Sequence, residues 1–367
     1  MEFEEPQFYE IRTYAAEQER DVIDLVSGVP DWEPPRALRE GLDSYARQEV
    51  ASFQYPPIEG IADLRAEIAA WRDVPAESVI VTTGTGEANY LAMARALNRG
   101  AGREVVLTDP VYPYYAGRTK LLGGEQVFVP VGEDGYLDPD DVRRAAGDDT
   151  ACLVVNSPNN PTGAVYDEST VRELVAIAED HDALLVSDEV YARFDHSGRF
   201  ASAVGIDSEH RIVTGSFSKS LAITGFRIGY AVVPDTHFRA VRSRHMLTDV
   251  TVSRPPQYAV ARALAGASEE YFAANRAAIS DRVDAFTSAL DAVGADYTNP
   301  DGAFYVMARF PGVPGTLGNV YRLIEEAGVA CMPGESFGDR MDDWFRFALV
   351  SPRVGEAADR LVGFFAG

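Results

Sequence analysis

The segment Ser216-Phe-Ser-Lys-Ser-Leu-Ala-Ile-Thr-Gly-Phe-Arg-Ile-Gly-Tyr230 combines an apolar strand end with several hydroxyl side chains and two cations. Its Lys219 is one of only two lysines in the chain, so 31 of the 33 basic residues are arginines. An arginine stays protonated at ordinary pH, whereas a lysine amine can lose its proton and act as a nucleophile. Lys219 is therefore a candidate for amine chemistry, and Ser216, Ser218 and Arg227 are suited to binding a phosphate.

Short apolar runs rich in Val, Ile and Leu surround this segment and alternate with helical patterns between residues 80 and 233. Such runs are typical of parallel strands that are buried on both faces of a sheet. The fold is therefore predicted to be α/β, with a mostly parallel seven-stranded sheet covered by helices on both faces. We predict its strands at residues 79–82, 105–108, 126–131, 152–156, 183–187, 212–215 and 228–233, with helices between them such as 87–97 and 169–181.

The pattern changes after residue 267, where a long alanine-rich helix is predicted at 269–293. Strand-like and helical segments alternate after it, which indicates a smaller α+β domain. We predict a large domain at 41–267 and a small domain formed by 268–367 together with the N-terminal segment 1–40, which is rich in proline and loops.

Three further motifs follow predicted strands, where ligands of open α/β sheets bind. Asn156-Ser-Pro-Asn-Asn-Pro-Thr-Gly163 is a sharp polar turn, and an ordinary turn explains it equally well when it is taken alone. Asp188 ends a buried strand with Tyr191 close behind, so it is either a ligand-binding carboxylate or a helix N-cap. Thr82-Thr-Gly-Thr-Gly-Glu-Ala88 offers backbone N–H groups to a phosphate, a weak signal in isolation.

Together these motifs, in this order and spacing, resemble the fold-type-I aminotransferases of class I/II that use pyridoxal 5'-phosphate (PLP), a family that includes aspartate and aromatic aminotransferases. The resemblance covers nearly the whole chain. It implies that Lys219 forms the Schiff base with PLP and moves protons between substrate and cofactor. It also implies that Asp188 pairs with the pyridinium nitrogen, and that Asn160 and Tyr191 are hydrogen-bond partners of the ring oxygen O3'.

The resemblance further implies how the rest of the cofactor is held. Tyr112 resembles the aromatic residue that stacks on the pyridine ring, and Tyr55 resembles the tyrosine that reaches the phosphate of a neighbouring subunit, which makes a homodimer with shared active sites. Gly86 departs from the family, because many relatives carry Ser or Thr there, and one side-chain contact to the phosphate is expected to be lost. The implied phosphate site consists of Ser216, Ser218, Arg227 and backbone groups of Thr85 and Gly86.

For the substrate, Arg346 resembles the arginine that binds the α-carboxylate, and a bidentate contact of this kind fixes the orientation of an amino acid. Gly28 and Asn160 resemble further contacts to the same part of the substrate. A second substrate arginine, which dicarboxylate-specific members use, has no clear counterpart. Arg254, Arg244 and Arg47 are unranked candidates.

The implied function is transfer of the amino group of an L-amino acid to a 2-oxo acid by a ping-pong mechanism. A PLP-dependent lyase or decarboxylase with the same fold is the alternative, because fold alone does not settle the reaction. A non-catalytic PLP-binding domain attached to a DNA-binding module is disfavoured, since no helix-turn-helix precedes residue 40 and the net charge is −24. A purely structural protein would leave the shared motifs unexplained.

The composition carries its own expectations. The excess of Asp and Glu, with almost no Lys, favours a halophile surface and disfavours nucleic acid and anionic membranes as partners. The two cysteines and five histidines lack metal-ligand spacing, so no metal is expected. The acidic residues 1–10 are unlike a signal peptide, and no apolar stretch is long enough for a membrane helix, so we expect a cytoplasmic enzyme.

Overall fold

Helices and strands alternate along the chain in the computed structural model, which describes residues 7–365. Within these residues the α-helices are α1 (Gln7–Ala16), α2 (Arg36–Tyr45), α3 (Ala62–Arg72), α4 (Gly84–Leu97), α5 (Pro113–Leu121), α6 (Pro139–Ala145), α7 (Glu168–Asp180), α8 (Asp235–Asp249), α9 (Arg254–Gly266), α10 (Glu269–Ala292), α11 (Leu317–Arg322) and α12 (Val354–Phe365). The strands are β1 (Ile23–Asp24), β2 (Val79–Thr83), β3 (Glu104–Asp109), β4 (Glu125–Pro130), β5 (Thr150–Asn156), β6 (Leu184–Asp188), β7 (Arg211–Ser216), β8 (Ile228–Val232), β9 (Asp296–Tyr297), β10 (Tyr305–Arg309), β11 (Val329–Ala330), β12 (Met332–Pro333) and β13 (Phe345–Ala348).

A seven-stranded sheet with the strand order β2-β8-β7-β6-β5-β3-β4 forms the centre of the molecule. The strands from β7 to β4 pair in parallel, whereas β8 is antiparallel to both of its neighbours. The prediction of an α/β fold with a mostly parallel sheet is therefore confirmed.

Both faces of this sheet are buried, which explains why its strands are apolar without alternation. Successive side chains of one strand enter opposite cores: Val79 and Val81 of β2 lie in one, and Ile80 between them lies in the other. Helices α3, α7 and α9 contribute to the first core, and α4, α5 and α8 contribute to the second.

A separate core lies among the elements that follow α9. Its sheet has the antiparallel order β12-β13-β10-β9, and α10 and α12 pack with it. The N-terminal segment joins this core, since β1 pairs in parallel with β11 and the side chain of Ile11 in α1 is fully buried there. These contacts hold the backbone of residues 25–28 beside the small sheet, and Leu25 N–H donates to the Ala330 carbonyl at 2.9 Å.

Two local predictions were wrong. The N-terminal segment contains the helix α1 where loops were expected, and α4 begins at Gly84 instead of residue 87. Glycines weaken a helix pattern in sequence, and the first turn of α4 contains two of them. Residues 1–6 and 366–367 of the predicted small domain lie outside the described residues, and the domain boundaries remain a prediction.

None of the helices in the described part of the chain combines the length and the apolar character needed to cross a membrane.

Candidate active site

The site lies where the parallel strands β5, β6 and β7 end. Asn156 is the last residue of β5 and Asp188 the last of β6, and the two stand opposite each other in the sheet register. Ser216 ends β7, and the loop after it carries Lys219. The carboxyl ends of neighbouring parallel strands thus bring together residues that are far apart in sequence, as expected for a ligand site in this class of fold.

Asp188 is a buried carboxylate that is held by neutral donors. Its Oδ2 accepts hydrogen bonds from Asn89 Nδ2 at 2.7 Å and from the Tyr115 hydroxyl at 2.6 Å, and its Oδ1 accepts one from Val190 N–H at 3.1 Å. Burial raises the pKa of Asp188, while these donors and the charge of Arg118 act in the opposite direction. A cation beside this carboxylate would favour its ionised form, so the position is suited to a protonated ring nitrogen.

Lys219 lies in a desolvated position on the other side of the site. Its Nζ donates a hydrogen bond to the Gly28 carbonyl at 2.6 Å. Burial, together with the positive charges of Arg346 and Arg227, lowers the pKa of Lys219 to about 8. A substantial fraction of this amine is therefore neutral near physiological pH, which is the form that attacks a carbonyl carbon.

The polar turn after β5 is held by its own asparagines. Asn156 Oδ1 accepts a hydrogen bond from Asn160 N–H at 2.8 Å, and Asn156 Nδ2 donates to the Asp188 carbonyl at 2.9 Å. The side chain of Asn160 then extends to the small sheet, where its Oδ1 accepts a hydrogen bond from Arg346 Nη1 at 3.2 Å. This turn therefore links the end of the large sheet to β13.

Arg346 is a buried cation in the middle of β13, only 5% exposed. Its Nη2 donates to the Val26 carbonyl at 2.5 Å, and its Nε is buried without a hydrogen-bond partner. The aromatic rings of Tyr305 and Phe337 lie 4.7 and 5.0 Å from its guanidinium carbon. Within residues 7–365 no carboxylate forms an ion pair with it, and desolvation lowers its pKa. A buried charge in this state favours an incoming anion.

The N-terminus of α4 faces Arg227. A Cβ atom placed on Gly84 would lie 2.3 Å from Arg227 Nη2, and Gly84 has a φ of +70°, so glycine is required for the close approach. The hydroxyl oxygen of Thr85 is buried without a hydrogen-bond partner. Ser216 and Ser218 are buried nearby, with Ser218 N–H donating to Ser216 Oγ at 3.4 Å. Helix N–H groups, hydroxyls and a guanidinium together make a site suited to a phosphate.

Tyrosines surround the space between these groups. The hydroxyls of Tyr191 and Tyr305 are 3.0 Å apart, and a Cβ atom on Gly28 would lie 2.0 Å from the Tyr305 hydroxyl. Tyr112 precedes α5, and the charges of Arg118 and Arg346 both act on its hydroxyl, whose pKa is raised by burial. The aromatic walls keep water from the polar groups, which strengthens their electrostatic interactions.

The chain matches the family described as "Aminotransferase class I and II" over residues 20–361. It belongs to this family.

Individual relatives agree with this assignment. A probable aspartate/prephenate aminotransferase of Thermus aquaticus is 35% identical over 330 residues, which cover 86% of this chain and 84% of the relative. An aspartate aminotransferase of Pyrococcus horikoshii is 30% identical over 365 residues, covering 94% and 91% of the two chains. The structure of Thermus thermophilus aspartate aminotransferase with maleate has a TM-score of 0.91 at 31% identity, covering 98% of this chain and 97% of that chain. The protein is thus an aminotransferase.

Among the predicted site residues of this aminotransferase, Tyr55 projects into solvent, with 81% of its surface exposed. Its carbonyl accepts a hydrogen bond from Arg254 Nη2 at 3.0 Å, so one of the three candidate substrate arginines lies beside it. Arg227 is also exposed, on the same N-terminal side of α4. An exposed tyrosine is compatible with the expectation that Tyr55 serves a neighbouring subunit.

Sequence reasoning gave no individual role to three residues that contact this site: Asn89, Tyr115 and Tyr305. Asn89 and Tyr115 donate hydrogen bonds to Asp188. Each lies on a helix that is distant from Asp188 in sequence, so the sequence does not show that these residues meet. The sequence signal for Tyr115 and Tyr305 is the clustering of aromatic residues near 111–115 and 304–305.

Proposed function

We propose that this aminotransferase uses PLP and carries out both half-reactions through Lys219, so that an L-amino acid gives up its amino group and a 2-oxo acid receives it. Three separate parts of the site fit three parts of this cofactor. The carboxylate of Asp188 fits a ring nitrogen, the amine of Lys219 fits an aldehyde, and the α4 N-terminus with its orphaned Thr85 hydroxyl fits a phosphate. When bound, PLP supplies a ring that accepts the electrons released at the substrate Cα.

The residues of this chain would then have separate roles in binding the cofactor and in moving protons. Lys219 binds the cofactor and moves a proton at the substrate Cα, and Asp188 keeps the ring nitrogen protonated. Tyr112 would stack on the ring, while Asn160 and Tyr191 would donate to its hydroxyl oxygen. The phosphate would be bound by Arg227 and hydroxyl or backbone groups, namely those of Ser216, Ser218, Thr85 and Gly86, with Tyr55 added by a second subunit.

The observation that carries this proposal is the uncompensated charge of Arg346 beside a partly neutral lysine. The Arg346 guanidinium stacks on Tyr305, the Tyr305 hydroxyl touches Gly28, and the Gly28 carbonyl accepts the hydrogen bond of Lys219. A carboxylate bound by Arg346 would therefore place an adjacent Cα near the amine of Lys219. An α-amino acid has this arrangement of a carboxylate next to a reacting carbon.

The substrates we propose are an L-amino acid and a 2-oxo acid, and the working unit we propose is a homodimer in the cytoplasm. The names of the Thermus relatives point to dicarboxylic amino acids as one substrate class. Exposed apolar side chains near Tyr55, including Val50 and Phe53, support burial of this surface by a second copy. Both cysteines are buried free thiols, which suits a reducing compartment.

Replacement of each lysine in turn tests the proposal. Lys219→Ala should remain folded but lose both the visible absorption of the bound cofactor and amino-group transfer. Lys120→Ala is the matched control, because it removes the only other lysine from an exposed position, and it should keep both properties. Full turnover by Lys219→Ala would overturn the proposal.

A second measurement separates transfer from the lyase or decarboxylase alternative. An amino acid added without any oxo acid should convert the bound cofactor to its amine form once per site and then stop. Continued product release without an oxo acid would show that the enzyme is a lyase or a decarboxylase.

A further inference from the structure

The guanidinium of Arg118 lies over Gly86, where this chain lacks a side chain. A Cβ atom placed on Gly86 would find Arg118 Nη2 at 3.1 Å and no other heavy atom within 4 Å. Arg118 reaches this place from α5, the helix that begins directly after Tyr112. The first turn of α4 therefore has a cation beside it that comes from a different element.

Arg118 has no counter-charge of its own. Within the described range 7–365 its side chain makes no ion pair and no hydrogen bond, and the nearest ring, that of Tyr114, lies 5.8 Å from its guanidinium carbon. Arg282, another partly buried arginine of this acidic protein, is matched with a carboxylate, that of Asp31 at 2.7 Å. A half-buried guanidinium without such a partner is available for an external anion.

Arg118 lies close enough to the active site for its charge to act on site residues. It acts on Asp188 and on Tyr112, and Arg346 acts on Tyr112 as well. The charges of two guanidinium groups therefore act on Tyr112, the residue that is expected to stack on the cofactor. The phosphate site has its own guanidinium in Arg227, whose Nη2 lies against Gly84 two residues earlier in α4. Arg118 is therefore a third guanidinium of the site, additional to those expected for the phosphate and for the α-carboxylate.

We propose that Arg118 binds the side-chain carboxylate of the substrate and so gives this enzyme a preference for dicarboxylic amino acids. The proposal rests on the proposed function, since it needs Arg346 to bind the α-carboxylate. An amino acid with two carboxylates would place them on Arg346 and Arg118, the two guanidinium groups near Tyr112. Arg118 thus fills the role for which Arg254, Arg244 and Arg47 could not be ranked, and it binds from a position that sequence spacing does not reveal.

The test compares Arg118→Gln with Lys120→Gln, which removes the same charge from an exposed site on the same helix. Arg118→Gln should lower kcat/KM for L-aspartate roughly 10- to 100-fold, the loss typical of one charged hydrogen-bonding partner, and leave kcat/KM for L-alanine nearly unchanged. Lys120→Gln should change neither value. Arg118→Lys keeps the charge without the planar fork and should fall between the wild type and Arg118→Gln for L-aspartate.

A binding measurement provides a readout that does not depend on turnover. Calorimetric titration of the PLP-loaded enzyme with maleate should show weaker binding in Arg118→Gln by a similar factor, whereas binding of the monocarboxylate 3-phenylpropionate should be unaffected. Retention of PLP after gel filtration should match that of the wild type. Loss of PLP with an unchanged aspartate-to-alanine ratio would overturn the proposal and make Arg118 a phosphate ligand.

The remaining outcomes are also decisive. A wild-type enzyme that transfers the amino group of L-alanine as well as that of L-aspartate would overturn the role of Arg118 and leave the proposed function intact. A wild-type enzyme that transfers no amino group at all would overturn the proposed function itself. Equal kinetics in Arg118→Gln and the wild type would overturn the Arg118 proposal alone.

Discussion

Lys219 shows how a single residue is tuned by its surroundings. Burial lowers its pKa to about 8, and the guanidinium groups of Arg346 and Arg227 act in the same direction. The deprotonated fraction therefore increases as the pH rises through about 8, two to three units earlier than for the ordinary lysine value of 10.5. The two-lysine composition makes this measurable, because Lys120 is exposed and serves as an internal reference.

We predict that the Lys219 amine of the cofactor-free enzyme reaches half of its maximal reactivity near pH 8. The measurement is trace acetylation with acetic anhydride between pH 6 and 11, with the labelling of Lys219 and Lys120 compared by mass spectrometry. Arg346→Met should move the midpoint to higher pH, because one repelling charge is gone, but not as far as 10.5, since burial is the larger cause. A midpoint at the ordinary lysine value would contradict the structure.

The predicted site residues differ in how far sequence alone could locate them. Asp188 and the Asn156–Gly163 turn could be placed together because each ends a parallel strand, and such ends meet at one edge of the sheet. The donors that hold Asp188 could not be found in this way. Asn89 and Tyr115 come from two different helices, and only the packing of α4 and α5 on the sheet brings them to the same carboxylate oxygen.

At the level of elements, the contact between β8 and α4 shapes the expected phosphate site. Gly229 pairs with Thr82 of β2 and with Ser216 of β7. A Cβ atom on Gly229 would lie 2.4 Å from the carbonyl carbon of Gly84 and 2.7 Å from the nitrogen of Thr85. Because both atoms belong to the backbone, neither can rotate out of the way, and a larger residue must move the first turn of α4.

Gly229→Ala should therefore destabilise the protein by about 1–3 kcal/mol and weaken the retention of PLP. Urea unfolding and gel filtration of the loaded enzyme measure the two effects. Gly225→Ala is the matched control, since it changes an exposed glycine of the same motif that has no atom within 4 Å of the added Cβ. If Gly229→Ala were as stable as Gly225→Ala, the close packing of β8 on α4 would be refuted.

Sequence patterns located the strands of the large sheet well and some helices poorly, for a physical reason. A strand buried on both faces is a continuous apolar run, and β5 extends only two residues beyond the prediction of 152–156. Helix α1 has a single buried side chain, Ile11, and it packs on α11 and β11, which are distant in sequence. Such a helix is stabilised by tertiary contacts more than by its own sequence pattern.

At the scale of the whole molecule, the net charge of −24 means that many carboxylates have no basic side chain to pair with, however the ion pairs are formed. Many of the arginines pair with carboxylates at exposed positions, such as Arg36–Glu40, and exposed pairs contribute little to stability. Repulsion among the excess carboxylates therefore acts against the folded state at low salt. It is screened as the Debye length falls from about 10 Å at 0.1 M salt to about 3 Å at 1 M.

We accordingly predict that the melting temperature rises as KCl is increased from 0.1 to 2 M. Each 1 kcal/mol of stabilisation should raise it by roughly 2–4 °C in a large domain. Calorimetry of the PLP-loaded enzyme, with activity measured in the same buffers, provides the check. Maximal stability in dilute buffer would rule out adaptation of this surface to salt.

A second whole-molecule prediction concerns the exposed apolar surface formed by the end of α8 and the segment before α3. Leu247 and Tyr55 are each 81% exposed, and Val50 is 79% exposed. Arg254 ties the Tyr55 backbone to the start of α9, and Asp249 at the end of α8 accepts a hydrogen bond from Thr83 Oγ1 at 2.8 Å, one residue before α4. This apolar surface therefore borders the expected phosphate site.

If a second copy covers this surface, Leu247→Asp combined with Val250→Asp should convert a dimer of about twice the chain mass into monomers, because two carboxylates would have to be buried. Monomers should also lose PLP more readily, since Tyr55 of one subunit could no longer reach the phosphate of the other. Phe128→Asp is the control, as it adds a charge to an exposed apolar position on β4, the edge strand of the sheet. Light scattering with gel filtration measures the mass, and a monomeric wild type with full activity would exclude the shared site.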